Sequence, residues 1–313
     1  MGATQAVLMI LGDRANLLIV RESFRGTRRY QEFKARLGMS DAVLASRLRD
    51  LVEMGVFRTV QYSQRPPRSE YRLTECGADF WPVAVGIWMW ERCWGHRAYR
   101  LPTMTHLACG QQTAATFGCG GCATTTVTSR GIEVDVAEAA DYVAQVPSRR
   151  YRRASWRSAE SIDLYSEIDP LLGDRWTVAT VAAAMIGVDR FADLQRALDI
   201  SPPLLSKRLV ELVNRGVLDK VIVVDGGHHH RYRMRPKGLD LMPIMVANQA
   251  WTNRWFPRDG GPLVKIIHSG CRHELVPAWF CAECGKELGR STMSFDFPTP
   301  ALSSRAGSGS HSA

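Results

Sequence analysis

The chain has 313 residues, 45% of them hydrophobic and 23% charged, which fits about two globular domains, each with a real core. No apolar run approaches the roughly 18 residues of a membrane helix. Asp13 and Arg14 interrupt an N-terminus that lacks a basic leader, so neither a span nor a secretory signal is expected, and the chain is placed in the cytoplasm with the nucleoid. Forty Lys and Arg against 31 Asp and Glu leave a net charge of +9, which favours an anionic partner such as nucleic acid. Eight cysteines in a chain of this length exclude a small disulfide scaffold.

In chain order, helical spacing of apolar residues predicts a helix over Ala15 to Phe24, broken at Gly26-Thr27, and a second short helix from Arg29 to Arg36. Leu37-Gly38-Met39 makes a turn. Ser40 is the expected N-cap of a third helix, with Asp41 at its positive end and Val43, Leu44, Leu48 and Leu51 along one face until Gly55. Val56 to Tyr62 and Ser69 to Leu73 then fit a β-hairpin. An aromatic helix follows, from Phe80-Trp81-Pro82 to Trp94, with Trp90 and Trp94 on one face.

About 161 residues later the same order returns. Leu11-Gly12-Asp13-Arg14 reappears as Leu172-Gly173-Asp174-Arg175, Ser40 as Ser201, Arg47 as Arg208, Trp90 and Trp94 as Trp251 and Trp255. The second copy has a helix over Phe191 to Ala197, a turn at Asp199-Ile200, and Pro202 and Pro203 in the first turn of the next helix, where no intrahelical amide is lost. Its hairpin runs from Val217 to Val224 and from His230 to Met234. The unit is too long for a solenoid repeat, so the chain is a duplicated domain. A short helix, a tight turn, a second helix and a hairpin make a winged helix-turn-helix.

The motifs LGDRANLLIVRE from Leu11, SDAVLASRLRDLVEMGV from Ser40 and RPPRSEYRLTECG from Arg65, with LGDRWTV, LLSKRLVELVNRGVL and YRMRPKGLDLMP in the second copy, resemble the HxlR-type winged-helix transcriptional regulators of bacteria. The resemblance covers about 90 residues of each half. It implies DNA binding, dimerisation and transcriptional control, and it implies that the aromatic helices after the wings form the dimer contact, here within one chain. Many members have a cysteine just ahead of the first helix, in some of them used for redox sensing; neither half has one there.

The exposed first turns of a recognition helix enter the major groove of double-stranded DNA. The candidate DNA contacts are therefore Ser40, Asp41, Ala42, Ala45, Ser46, Arg47 and Arg49 in the first copy, and Ser201, Pro202, Ser206, Lys207 and Arg208 in the second. Arg47 and Arg208 occur in both copies, which points to a shared job, phosphate contact or internal pairing. Arg65 and Arg68 on a proline-stiffened first wing, and His229 and Arg231 on the second, complete the set. His228, His229 and His230 also fit a solvated tip.

The pattern H-x2-C-x9-C-x2-C occurs after each wing domain, as His106, Cys109, Cys119 and Cys122 and as His268, Cys271, Cys281 and Cys284. Four such ligands suit a closed tetrahedral Zn²⁺ site with a structural role, two per chain. A C-x2-C disulfide switch is the competing reading. The expected fold class is α+β, mainly α with small β-wings. The expected boundaries are a winged domain over 1–99, a zinc-ribbon-like module over 100–130, and a linker over 131–161 that is helical from Ile132 to Gln145 and carries five arginines between Arg149 and Arg157. A second winged domain over 162–257, a second ribbon over 258–291 and a disordered tail over 292–313 complete the chain.

The expected function is sequence-specific transcription regulation by an intrachain pseudo-dimer, with further homodimerisation and an effector of unidentified chemistry left open. A zinc-stabilised protein-interaction or redox- or metal-sensing module on the same fold is the alternative. No phosphate-cradling glycine loop, nucleophile elbow or open metal site stands out, so no enzyme is expected.

Overall fold

In the computed structural model, the described residues are 8, 10–136, 165–223, 229–262 and 264–297. The arginine run, most of the linker and tail, His228 and the side chain of His229 lie outside them.

The first copy runs α1 (Arg14–Phe24), α2 (Tyr30–Leu37), α3 (Asp41–Glu53), β1 (Phe57–Gln64), β2 (Pro67–Leu73), α4 (Glu75–Ala78) and α5 (Trp81–Trp94). Strands β3 (Thr103–His106), β4 (Gln111–Thr113), β5 (Ala115–Cys119) and β6 (Ile132–Val136) follow. The second copy repeats this as α6 (Asp169–Leu172), α7 (Arg175–Met185), α8 (Phe191–Leu198), α9 (Pro202–Asn214), β7 (Leu218–Val223), β8 (His229–Met234), α10 (Pro236–Leu239) and α11 (Met242–Trp255). It closes with β9 (Val264–His268), β10 (Pro277–Cys281), β11 (Glu287–Leu288) and β12 (Met293–Asp296).

Each helix-turn-helix is closed by the same chemistry. The Asp13 carboxylate accepts the amides of Ala15 and Asn16 at 2.9 and 3.1 Å and caps α1, as Asp174 caps α7 through Thr177 at 3.0 Å. Gly38 and Asp199, both left-handed, turn the chain into the recognition helices α3 and α9. Phe33, Leu37, Leu44, Leu48 and Leu51 are buried beneath the first wing, as Leu194, Leu198, Leu205, Leu209 and Leu212 are beneath the second.

The recurring Leu-Gly-Asp-Arg motif is where the copies meet. Asp13 and Asp174 form an antiparallel bridge. A Cβ on Gly12 would lie 2.9 Å from the Arg175 Cα, and one on Gly173 would lie 2.8 Å from the Arg14 Cβ, so glycine is what permits this approach. Helices α5 and α11 pack together, and their tryptophans bond reciprocally. Trp90 donates to the Lys237 carbonyl and Trp251 to the Cys76 carbonyl, at 3.0 and 2.9 Å. Trp94 donates to the Asp240 carboxylate and Trp255 to that of Asp79, at 2.9 and 2.7 Å. Each partner is the other's counterpart in the repeat, so the copies are related by an approximate two-fold axis.

The strands beyond the wings are exchanged between copies. β5 pairs antiparallel with β10, with Phe117 opposite Trp279. β6, from the end of the first copy, pairs with β9 of the second, while β12, from the end of the second, pairs with β3 of the first. Two expectations are thereby corrected. Ile132–Val136 is a strand and not the start of a helix, because Ile132, Val134 and Val136 alternate with acidic residues. The tail likewise begins with an ordered strand, β12, before the chain leaves the described residues.

Candidate nucleic-acid interface and metal centres

In the first copy Ser40, Asp41, Ala42 and Arg49 are exposed along α3, with Ala45 and Ser46 half-buried. The Val43 amide donates to the Ser40 hydroxyl at 3.4 Å, making the expected cap. Asp41 is held by Lys34 at 2.6 Å and by the Tyr30 hydroxyl at 2.9 Å, and these bonds keep its carboxyl below the usual carboxylate range. Arg65 and Arg68 are exposed at the first wing tip. Sequence reasoning missed three more exposed cations on this face, Arg28, Arg29 and Arg58. Arg29 stacks over the Tyr62 ring at 4.7 Å, and the Tyr71 amide donates to the Arg28 carbonyl at 2.8 Å, so the start of α2 is fastened to the wing.

Three arginines expected at DNA pair with carboxylates of the protein itself. Arg47 pairs with Asp13 at 3.0 Å and Asp50 at 3.3 Å. Arg208 pairs with Asp174 at 2.8 Å and Glu211 at 3.3 Å, with its side chain only 6% exposed. The recognition helix packs on the first helix of its copy, so this position sits under the capping aspartate, and one carboxylate serves both cap and ion pair. Of the two roles open to this recurring arginine, internal pairing is the one realised. Arg231 is drawn to Asp189, 3.3 Å away in the loop before α8. In the second copy Ser201, Pro202, Ser206 and Lys207 are exposed as expected. Ser201 makes no side-chain cap bond; the amide of Leu204, the counterpart of Val43, donates to the Ser201 carbonyl at 3.0 Å instead.

The two helix-turn-helix and wing segments differ in charge. Residues 28–73 hold ten Lys and Arg against five Asp and Glu, whereas residues 189–234 hold eight against six. Arg28, Arg49 and Arg58 correspond to Asp189, Val210 and Asp219. Val210 is 56% exposed.

All eight expected metal ligands are brought together, but in a different grouping. One tetrad is His106, Cys109, Cys281 and Cys284; the other is Cys119, Cys122, His268 and Cys271. Each takes His-x2-Cys from one copy and Cys-x2-Cys from the other, which replaces the expected self-contained ribbon in each copy. The cause is the β5–β10 pairing, which carries each Cys-x2-Cys across the two-fold axis. The Nδ1 atom of His106 lies 3.3 Å from the sulfurs of both Cys109 and Cys284, and that of His268 lies 3.4 and 3.3 Å from Cys122 and Cys271. Sulfurs and imidazole nitrogens bound tetrahedrally at ~2.3 and ~2.1 Å stand about 3.5–3.8 Å apart, so these residues fit a four-coordinate ion.

The surrounding donors suit thiolates at Cys122 and Cys281; at Cys109 and Cys271 the amides of Gln111 and His273 pull the thiol down, but burial and the neighbouring sulfurs of each tetrad raise it overall. Hydrogen bonds from the hydroxyl and amide of Thr124 hold the Cys122 thiol down to about 6. Burial pushes Cys281 up, but the Thr113 hydroxyl and the amides of Cys284 and Glu283 bring it to about 6. Left-handed Gly285 closes the turn that carries Cys281 and Cys284, its amide donating to the Cys281 carbonyl at 2.9 Å. All eight cysteines are free of disulfides.

A helix-turn-helix with a two-stranded wing, present twice and joined by shared cysteine-histidine centres, defines a tandem winged-helix protein. The chain belongs to the HxlR-like helix-turn-helix family, which matches residues 10–99 and 171–260. It is similar to an uncharacterised HTH-type transcriptional regulator of Mycobacterium tuberculosis, 37% identical over 118 residues, which are 38% of this chain and 75% of the relative. The YvaP regulator of Bacillus subtilis, also uncharacterised, is 30% identical over 86 residues, 27% of this chain and 80% of the relative. Among solved structures, the candidate transcription factor PA1374 of Pseudomonas aeruginosa is 25% identical, covers 42% of this chain and 89% of its own, and has a TM-score of 0.32. Among the described residues, no helix is long and apolar enough to cross a membrane.

Proposed function

We propose that the chain is a transcription regulator that binds double-stranded DNA as a pseudo-dimer written into one polypeptide, with the first winged helix as the principal anchor. The observation that carries this is the asymmetry of two otherwise matching surfaces: Arg28, Arg49 and Arg58 of the first stand where Asp189, Val210 and Asp219 occupy the second. Cations near phosphate release counterions and supply most of the non-specific affinity. The first copy, through Arg49, Arg65 and Arg68, therefore supplies most of the binding energy. The second, through Ser201, Pro202, Ser206 and Lys207, contributes a weaker contact that selects an unlike half-site. The two-fold packing of α5 on α11 supports a fixed spacing between the two recognition helices.

We assign Zn²⁺ as the metal, two ions per chain, with a structural role. The closed Cys3His sets leave no open position for substrate. Because each set draws ligands from both copies, each ion would tie one winged helix to the other.

The test is to map the DNA bound across the genome, then measure affinity for the natural site and for palindromes of each half. The natural asymmetric site, or the palindrome of the half contacted by the first copy, should bind best. Equal affinity for both palindromes would overturn the asymmetric reading.

A further inference from the structure

The repeat provides an internal control for cavities, because every space in one copy can be compared with its counterpart in the other. In the first copy the space between α5 and the β3–β12 strands is filled. Trp88, 2% exposed, donates to the Pro102 carbonyl at 3.0 Å and meets the Phe295 ring edge-on at 5.2 Å. In the second copy the counterpart of Trp88 is Gln249 and that of Phe295 is Val134. Phe24 and Trp81 are likewise replaced by Met185 and Met242. The two rings are gone, and among the described residues nothing takes their place. A cavity of about 370 Å³ lies there, lined by Ile132, Val134, Met185, Met242, Met245 and Gln249 among others.

We propose that this cavity is a binding site for an uncharged small molecule carrying an aromatic ring. Three features set the ligand's chemistry. First, the matching space is occupied by an indole and a phenyl ring of the protein's own, so its walls are of the right separation for flat apolar groups. Second, no ionisable side chain lines it among the described residues, so an ionic ligand would lose its hydration without compensation. Third, three methionines line it, and their unbranched thioethers adapt to ring faces and edges. A cavity of roughly 150 Å³ already accepts benzene, so this one takes a fused bicycle with substituents.

The polar edge of such a ligand would meet Gln249, whose side-chain nitrogen is engaged with Asn253 at 2.8 Å and whose carbonyl oxygen is left as an acceptor, or the nearby hydroxyl of Ser129. One wall, β6, belongs to the first copy and the opposite wall, α7 and α11, to the second. An occupant therefore touches both copies, in the element that exchanges strands between them.

The site stands independently of the DNA-binding assignment and is tested without DNA. The full chain, labelled with ¹³C at its methionine methyls, is titrated with indole, and with indole-3-carboxylate as the charged counterpart. The expected result is a saturable submillimolar shift confined to the methyls of Met185, Met242 and Met245, with the carboxylate at least about tenfold weaker. Gln249→Trp and Val134→Phe, which restore the first copy's rings, should each abolish it. Shifts that do not saturate, that match for the carboxylate, or that persist in a folded Val134→Phe protein would overturn the proposal. Val134 is 37% exposed and its counterpart on β12 is already a phenylalanine, Phe295, so this variant decides the outcome even where Gln249→Trp does not fold.

Discussion

The first copy presents Arg49 and Arg58 where the second presents Val210 and Asp219, yet Asp13–Arg47 and Asp174–Arg208 are the same ion pair built twice. The first copy closes its outer space with Trp88 and Phe295 while the second leaves Gln249 and Val134 around a cavity. What the copies share is what folds each domain and joins it to its twin: capping aspartates, buried arginines, reciprocal tryptophans and metal ligands. What they do not share is surface and cavity. The more cationic segment belongs to one half and the cavity to the other, a division that two identical copies would not show.

The largest expected effect breaks the shared part at the metal centres. Metal analysis of two double variants tells exchanged tetrads from self-contained ribbons. Cys109→Ser/Cys284→Ser removes two ligands of one tetrad, and about one zinc per chain should remain. Cys109→Ser/Cys122→Ser removes one ligand from each, and both ions should be lost or weakly held. Ligands grouped within copies would give the reverse result. Since structural zinc in isolated fingers contributes roughly 10–16 kcal/mol to folding, chelation should also lower the unfolding temperature more than any single substitution.

Next in size are the buried ion pairs. Arg47→Met and Arg208→Met should each cost about 3–5 kcal/mol in urea unfolding, because a largely buried carboxylate is left without its partner. The two losses should be similar. A stable Arg47→Met protein that merely lost DNA affinity would return this residue to the DNA surface. The smallest effect is a contrast between caps. Ser40→Ala should cost ~1 kcal/mol, since the hydroxyl accepts an amide. Ser201→Ala should stay within about 0.5 kcal/mol, since its hydroxyl makes no cap bond.

Much of this was legible from residues alone. The helix-turn-helix, wings, caps and all eight ligand identities follow from local patterns that recur at a fixed offset. The partition of the ligands does not, because either grouping satisfies the same spacing, and the choice is made by β5 pairing with β10 more than 150 residues away. The role of Arg47 was half visible in its recurrence, but its partner Asp13 lies on another helix. Arg231 looked free because Asp189 lies in a distant loop. The Ile-Glu-Val-Asp-Val alternation at Ile132 was a strand signal of period two, masked by acidic residues that suggested a helix. The cavity needed structure: only the packing of Trp88 against Phe295 reveals what Gln249 and Val134 leave out.

The two copies are proposed to share a frame but divide the labour of DNA binding. The most direct test is equilibrium binding of the full chain to its mapped natural site, comparing Arg49→Ala/Arg65→Ala/Arg68→Ala in the first copy with Lys207→Ala/Lys220→Ala/Arg233→Ala in the second, Lys220 and Arg233 being exposed cations on β7 and β8 of the second wing. Three contacts of ~1 kcal/mol each predict a loss of at least about 100-fold for the first set. The second set should lose less than about tenfold and keep a steeper salt dependence. Equal losses, or a larger loss from the second set, would contradict the account.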